Sequence, residues 1–289
     1  STASILRLRQ QAIIRVVVAH LCLSHLIEDR TLKQNRGIMA KTIIEINDLR
    51  REFKMGGEIL QVLKGIHLNI YEGEFVTIMG PSGSGKSTLL NILGCLDRPT
   101  SGDYILDGIS VKNMSKNELA NVRNTKIGFI FQAYNLLART SAIENVELPL
   151  MYNPKISAKE RRERAIEALK RVGLESRLHH MPSELSGGQQ QRVAIARSLV
   201  NDPVILLADE ATGNLDTRTS YEVMELFQEL NDKGSTIGFV THEDDIARFS
   251  RRTVVLKDGH IISDTPVTDR LNATAELDKW KRENADRDW

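Results

Sequence analysis

The chain contains the run Phe75-Val76-Thr77-Ile78-Met79-Gly80-Pro81-Ser82-Gly83-Ser84-Gly85-Lys86-Ser87-Thr88. Its first five residues form a nearly continuous apolar stretch, which is typical of a strand buried in a parallel sheet. The apolar residues from Thr88 to Leu93 predict a helix behind the glycines. Backbone N–H groups at a helix start hold phosphate oxygens. The run therefore predicts an α/β fold with a nucleotide phosphate-binding loop, and a strand before it and a helix after it disfavour a chance glycine turn.

Each residue type in this loop suits a triphosphate. Gly80, Gly83 and Gly85 let the backbone approach the phosphates without an intervening side chain. We expect Lys86 to reach the β- and γ-phosphates of ATP, and its charge to be exposed when the site is empty. Ser87 would place its hydroxyl on Mg²⁺. The predicted phosphate-binding set is Gly80, Ser82, Gly83, Ser84, Gly85, Lys86, Ser87 and Thr88.

Two carboxylates follow a second apolar strand, Val204–Ala208. The carboxyl ends of such strands are where open α/β sheets place their ligands. Asp209 suits Mg²⁺ through water, and Glu210 suits the polarisation of an attacking water molecule as a general base. An ordinary surface pair is the alternative, and the phosphate loop upstream disfavours it.

The run Leu185-Ser186-Gly187-Gly188-Gln189-Gln190-Gln191-Arg192 is a second candidate anion site at a helix start. The phosphate loop around Lys86 already holds the phosphates of one nucleotide, so this second site must bind a different nucleotide. The phosphate loop, this signature and the Asp209-Glu210 strand, in that order, resemble the ATPase subunit of an ATP-binding cassette (ABC) transporter. The resemblance covers roughly Ile43 to Ile262.

The resemblance implies further site residues and a dimer. Gln132 and His242 match the family's Gln loop and its switch histidine, which join Glu210 as catalytic residues. Ser87, Gln132 and Asp209 become the implied Mg²⁺ set. Phe53 would stack on adenine, although a core position is its alternative. Ser186, Gly187, Gly188, Gln189 and Asp216 would reach the nucleotide of a second copy, which implies a homodimer around two ATP molecules.

Loop sequences near Gln132, Ala142–Leu150 and Thr212–Asp216 resemble the macrolide-export, lipoprotein-release and antimicrobial-peptide-resistance branch. That branch implies a transmembrane permease partner with a large extracytoplasmic domain, and a peripheral place on the cytoplasmic face of the inner membrane. Two alternatives stay open: a regulatory ATPase controlling cell-wall hydrolases through a permease-like partner, and a soluble ATPase acting on ribosomes or DNA. Ala211 stands where the family commonly has proline, and we expect little effect on the chemistry.

Composition sets limits on these functions. With 289 residues, 41% of them hydrophobic, the chain can bury a full core, and a net charge of +1 argues against nucleic-acid binding. Cys22 and Cys95 lie in no metal-ligand spacing. No apolar run approaches the roughly 20 residues of a membrane-spanning helix.

We expect four regions. Residues 1–38 are interpreted as a leader, tag or mis-started extension rather than a membrane anchor. Residues 39–131 and 203–267 form the RecA-like ATP-binding core with a parallel sheet and an antiparallel β subdomain; a closing hairpin turns at Asp258-Gly259. Residues 132–202 form an inserted α-helical subdomain, and 268–289 a peripheral charged tail.

Within the helical region, Ser157 and Glu160 predict a capping box. Ala165, Ile166, Leu169 and Val172 predict an apolar helix stripe that ends at Gly173. Its basic residues are interpreted as a solvated face. Tyr134, Leu136 and Leu137 are either a docking patch for the permease or core residues, and the sequence leaves both open.

Overall fold

Two sheets organise residues 40–285, the part of the chain that the computed structural model describes. The predicted leader and residues 286–289 of the predicted tail lie outside these described residues. One sheet has four strands in the order β2-β1-β4-β5, and the other has six in the order β10-β9-β3-β8-β7-β6.

The four-stranded sheet is antiparallel throughout. It consists of β1 (Thr42–Met55), β2 (Glu58–Tyr71), β4 (Ser101–Leu106) and β5 (Ile109–Ser110). Alternate residues of β1 and β2 point to one face, which buries Ile44, Ile46, Ile66 and Ile70. The antiparallel β subdomain predicted from this alternation is confirmed.

The six-stranded sheet carries the parallel core. Its strands are β3 (Phe75–Met79), β6 (Ile127–Ile130), β7 (Ile205–Asp209), β8 (Ile237–Val240), β9 (Arg252–Lys257) and β10 (His260–Pro266). β3 runs parallel to β8 and β9, and β7 runs parallel to β6 and β8. β9 and β10 pair antiparallel, and both Asp258 and Gly259 between them have positive φ, as a tight hairpin requires.

Helices lie between the strands of this core and in the segment between β6 and β7. They are α1 (Lys86–Leu93), α2 (Lys116–Lys126), α3 (Ala142–Met151), α4 (Ala158–Arg171), α5 (Gly187–Leu199), α6 (Thr217–Asp232), α7 (Asp244–Ala247) and α8 (Ala273–Glu283). α3, α4 and α5 pack against one another, so the predicted helical character between β6 and β7 is present. No helix among residues 40–285 is long and apolar enough to cross a bilayer.

Two details of α4 differ from the prediction. The hydroxyl of Ser157 accepts a hydrogen bond from the Glu160 N–H at 3.2 Å, but the Glu160 carboxylate turns to Arg164 at 2.7 Å instead of completing a capping box. Ile166 is 37% exposed, whereas Ala165, Leu169 and Val172 of the predicted stripe are buried. Ion pairs such as Arg164–Glu160 and Arg162–Glu147 hold several of the basic side chains, which favours the solvated-face interpretation.

The tail contributes to the core through α8, which packs on α6. Ala273 and Leu277 are buried. Gln228 of α6 fixes the position of the start of α8, because its amide nitrogen donates to the Leu271 carbonyl and its oxygen accepts from the Ala273 N–H. These contacts anchor the helix, whose charged residues Asp278, Lys279, Lys281, Arg282 and Glu283 are exposed.

Candidate functional site

The phosphate loop joins β3 to α1 at the carboxyl edge of the parallel sheet. Gly80 has φ 149°, and a Cβ there would lie 2.0 Å from the Leu256 carbonyl oxygen, so no larger residue fits. Gly85 adopts a left-handed conformation with φ 104° and begins α1. The backbone N–H groups that follow are therefore presented at the positive end of a helix.

Lys86 is buried in this structure, with 8% of its surface exposed, and our expectation of an exposed charge was wrong. Its ammonium donates to the Gly80 carbonyl at 2.7 Å and to the Pro81 carbonyl at 3.0 Å. The loop wraps around the lysine, and these carbonyls replace water around the charge. The side chain is thus held at the centre of the loop by the backbone of the loop itself.

Asp209 and Glu210 stand at the end of β7, close to this loop. Burial raises the pKa of Asp209, the negative charge of Glu210 raises it further, and Lys86 opposes both effects. Glu210 has φ 44°, a left-handed conformation that is rare outside glycine. A proline after Glu210 would restrict the backbone conformation of Glu210. This chain has the buried Ala211 at that position, so the restriction is absent.

His242, just after β8, contacts Glu210. Its Nδ1 lies 2.9 Å from Glu210 Oε1. An ionised carboxylate can only accept, so Nδ1 carries the proton in this contact. The side chain of Glu210 is three-quarters buried, whereas that of His242 is more than half exposed. The pair therefore joins the end of β7 to the open side of the site.

An open cleft of about 710 Å³ brings these elements together. It is lined by Val62, Pro81, Ser82, Gly83, Gly85, Lys86, Ser87, Thr88, Glu210 and His242. Val62 belongs to the antiparallel sheet and was not predicted, because a valine in a strand carries no sequence signal for a ligand. Its position makes β2 one wall of the cleft.

Gln132 and Phe53 lie outside the residues that line this cleft. The Gln132 amide nitrogen lies 3.5 Å from Asn214 Oδ1, and Asn214 Nδ2 donates to the Gln132 carbonyl at 3.1 Å. Phe53 is half-buried, pairs with Leu60 across the β1–β2 hairpin, and has the Arg51 guanidinium 4.3 Å from its ring centroid. Leu60 stands two positions before Val62, so Phe53 is near the cleft wall.

The signature residues are placed at the start of α5. Ser186 is the N-cap: its hydroxyl accepts from the Gln189 N–H, and the Gln189 side chain accepts from the Ser186 N–H. None of the described residues lining the cleft belongs to this signature. Gly188 faces Thr219 at the start of α6, where a Cβ would lie 2.4 Å from Thr219 Cγ2. Asp216 is the N-cap of α6, and hydrogen bonds from Thr219 lower its pKa.

A separate groove of about 610 Å³ lies between the core and the helical segment. Its lining includes Leu96, Phe129, Asn135, Pro149, Tyr152 and Arg197. Tyr152 is 80% exposed and Leu137, close to the groove in sequence, is 49% exposed. Leu136 instead packs against the core, and Tyr134 is half-buried, so the three residues left open by the sequence divide between the two alternatives.

Residues 63–213 match the family model described as ABC transporter, which covers the phosphate loop, the signature and the Asp209-Glu210 pair. The chain belongs to the ABC transporter ATP-binding family. It is an ATPase that binds ATP, and its fold is that of the family's cassettes.

Relatives and solved structures agree with this assignment. The ABC transporter ATP-binding protein YvrO of Bacillus subtilis is 52% identical over 222 residues, which cover 77% of this chain and 96% of YvrO. The macrolide export ATP-binding/permease protein MacB of Wolinella succinogenes is 52% identical over 223 residues, 77% of this chain but only 34% of MacB. The ATP-binding cassette MJ0796, a protein of Methanocaldococcus jannaschii, was solved as a post-hydrolysis dimer bound to ADP and Pi. It superimposes with a TM-score of 0.71 at 49% identity, covering 78% of this chain and 98% of MJ0796.

Proposed function

We propose that this ATPase dimerises head to tail on ATP and drives a separate membrane permease that exports or extracts a substrate. One observation carries the proposal: the phosphate loop, Glu210 and His242 form a single cleft, while the signature at the start of α5 stands apart from it. An anion site unused by the chain's own nucleotide fits the nucleotide of a second copy. The dimeric cassette MJ0796, at 49% identity, supports this arrangement.

Within each cleft, the proposed roles follow from the contacts. Lys86 and the loop N–H groups bind the phosphates, and Glu210, held by His242, polarises the attacking water. Ser87 and Asp209, with Gln132, would hold Mg²⁺. The raised pKa of Asp209 fits this, because a divalent cation would offset the burial and the repulsion by Glu210. When bound there, Mg²⁺ supplies charge neutralisation between the phosphate oxygens.

The adenine is proposed to stack on Phe53. Phe53→Ala should then raise the ATP concentration needed for half-maximal hydrolysis by about fivefold or more, since stacking of an aromatic ring on a base contributes roughly 1–3 kcal/mol. Phe53→Tyr keeps the ring and is the matched control. Titration calorimetry with ADP measures the effect directly. A Phe53→Ala chain that melts at a lower temperature but binds ADP normally would identify a packing residue instead.

The groove beside the Gln132 loop is the proposed docking site for a cytoplasmic helix of the permease. It lies between the core and the helical segment, it contains exposed aromatic and aliphatic side chains, and Asn135 of the Gln132 loop forms part of its lining. Apolar anchors in such a pocket are typical of an interface centre. Docking there would place the ATPase at the cytoplasmic face of the inner membrane.

Leu137→Asp is expected to separate hydrolysis from coupling. The side chain is about half exposed, so the isolated chain should keep its melting temperature and its basal ATPase rate. Stimulation by the permease in proteoliposomes should fall severalfold, because a charge would enter the apolar interface. Ile262→Asp, at an exposed position on β10, is the matched control. Normal stimulation of the Leu137→Asp protein would remove this residue from the interface.

Reconstitution with the permease tests the function as a whole. The purified pair should hydrolyse ATP faster than the ATPase alone, and a lipoprotein, an antimicrobial peptide or a macrolide should stimulate it further. The name of MacB, which joins an ATP-binding part to a permease in one protein, supports this class of partner. A partner that leaves hydrolysis unchanged with every substrate, but activates a cell-wall hydrolase, would replace transport with the regulatory function.

A further inference from the structure

The Gln132 loop makes a tight turn that one arginine holds. Tyr134 and Asn135 both adopt left-handed conformations, with φ 59° and 50°, which non-glycine residues rarely do. Their two carbonyl oxygens face the guanidinium of Arg197, with Nη2 2.7 Å from Tyr134 O and Nη1 2.6 Å from Asn135 O. Arg197 belongs to α5, the helix that begins at the signature. A fork of two donors thus holds the turn to the far end of that helix.

The surroundings of Arg197 distinguish it from Arg192, the other arginine of the helix. Burial lowers the pKa of Arg197. Among residues 40–285 no carboxylate forms an ion pair with it, and its guanidinium donates to the two loop carbonyls instead. Arg192 on the same helix also donates to a carbonyl, that of Val172 at 3.2 Å, but it has Glu222 as a charged partner. A partly buried cation that donates to two carbonyls and has no carboxylate partner carries a desolvation cost, and it persists where the surrounding structure requires that geometry.

The side chain of Tyr134 reaches the opposite end of α5. A Cβ built on Gly187 would lie 3.0 Å from the Tyr134 hydroxyl oxygen. Gly187 and Arg197 are ten positions apart, about 15 Å along a helix. Tyr134 therefore contacts α5 twice: its carbonyl binds Arg197 near the last turn, and its hydroxyl lies against the glycine that follows the N-cap Ser186.

We infer that Tyr134 and Arg197 are positioning residues that tie the Gln132 loop to both ends of the signature helix. A displacement of the loop would then move Ser186, Gly187 and Gly188 relative to the nucleotide that they meet. Arg197 and Asn135 also line the groove, so a partner docked there touches the same contact. The inference rests on the proposed function, because it takes the start of α5 to bind the ATP of a second copy.

ATP-driven dimerisation in a Glu210→Gln background measures this link, since hydrolysis is then removed. Tyr134→Phe deletes only the hydroxyl at Gly187, and Arg197→Lys keeps the charge but not the fork. Tyr221→Phe on α6 and Arg161→Lys on α4 are the matched controls, because Arg161 also donates to a backbone carbonyl, that of Ile156 at 3.0 Å. Sedimentation velocity gives the ATP concentration at which half of the chain is dimeric, and calorimetry gives the ADP affinity of the monomer.

Tyr134→Phe and Arg197→Lys should each raise the dimerisation midpoint about tenfold, which is within the usual range of coupling between sites. The ADP affinity of the monomer should change by less than about twofold. The controls should dimerise as the parent does. A loss of folding alone would raise the dimerisation midpoint and weaken ADP binding together. If Arg197→Lys fails to fold, Tyr134→Phe decides the matter.

Two further outcomes distinguish a failure of this inference from a failure of the proposed function. A parent that does not dimerise with ATP removes the head-to-tail function, and the inference with it. A parent that dimerises, with Tyr134→Phe at the parent's midpoint, overturns the inference and leaves the function intact.

Discussion

Lys86→Ala is expected to reduce ATP hydrolysis by about 10² to 10³, the range found when a preorganised charge-stabilising donor is removed from a reacting centre. The ammonium is held inside the loop by the Gly80 and Pro81 carbonyls, so it meets an incoming phosphate without reorganisation. Alanine removes the positive charge and leaves both carbonyls without the ammonium that donates to them. The measurement is steady-state phosphate release at saturating ATP.

The same contacts predict a loss of stability that an exposed lysine would not cause. Two hydrogen bonds from a charged donor are lost, so the free energy of unfolding should fall by about 1–3 kcal/mol. Lys112→Ala is the control, because Lys112 forms an exposed pair with Asp103 and neither residue lines the cleft. A Lys86→Ala protein with wild-type turnover would refute the nucleotide function of this loop.

The sequence predicted the parallel core well because each buried strand ends in polar residues with a chemical role. Phe75–Met79, Ile127–Ile130 and Ile205–Asp209 are short apolar runs, and the loop, Gln132 and Glu210 follow them directly. Parallel strands bring their carboxyl ends to one edge, so the order of motifs already implied that Lys86 and Glu210 would meet. The structure places both in one cleft.

The sequences of α6 and α2 also contain signals typical of helices. Thr217–Asp232 forms α6, where Asp216 is an N-cap and Val223, Phe227 and Leu230 recur at helical spacing. Lys116–Lys126 forms α2 behind a complete capping box of Ser115 and Glu118. Both helices are mostly polar outside one face, so their apolar residues give a weaker signal than the motifs do.

The burial of individual side chains could not be predicted from the sequence. Lys86, Ile166 and Leu137 each have an environment set by segments distant along the chain: the loop carbonyls, the neighbouring helices, and the turn that Asn145 fixes by accepting from the Leu137 N–H. Periodicity gives the face of a helix, but it does not give what covers that face. The contacts of Arg197 with the Gln132 loop belong to the same class.

Glu210→Gln is expected to stop hydrolysis while leaving ATP binding intact. The rate should fall by about 10² to 10⁴, the usual contribution of a general base. The substitution is conservative in geometry, because a glutamine Oε1 still accepts the hydrogen bond that His242 Nδ1 now donates to Glu210 at 2.9 Å. It removes the negative charge and the basicity, and it leaves the phosphate loop and its Lys86 contacts unchanged.

The consequence for assembly follows from these two effects together. If ATP closes two chains on each other and hydrolysis opens them, a chain that binds ATP but cannot cleave it should accumulate as a dimer with ATP and Mg²⁺, and remain monomeric with ADP. Size-exclusion chromatography with light scattering gives the mass directly. Glu243→Gln, an exposed neighbour of His242, is the matched control and should cycle as the wild type does. A Glu210→Gln chain that hydrolyses ATP normally would show that the base lies elsewhere, and one that is inactive yet monomeric with ATP would contradict the head-to-tail dimer.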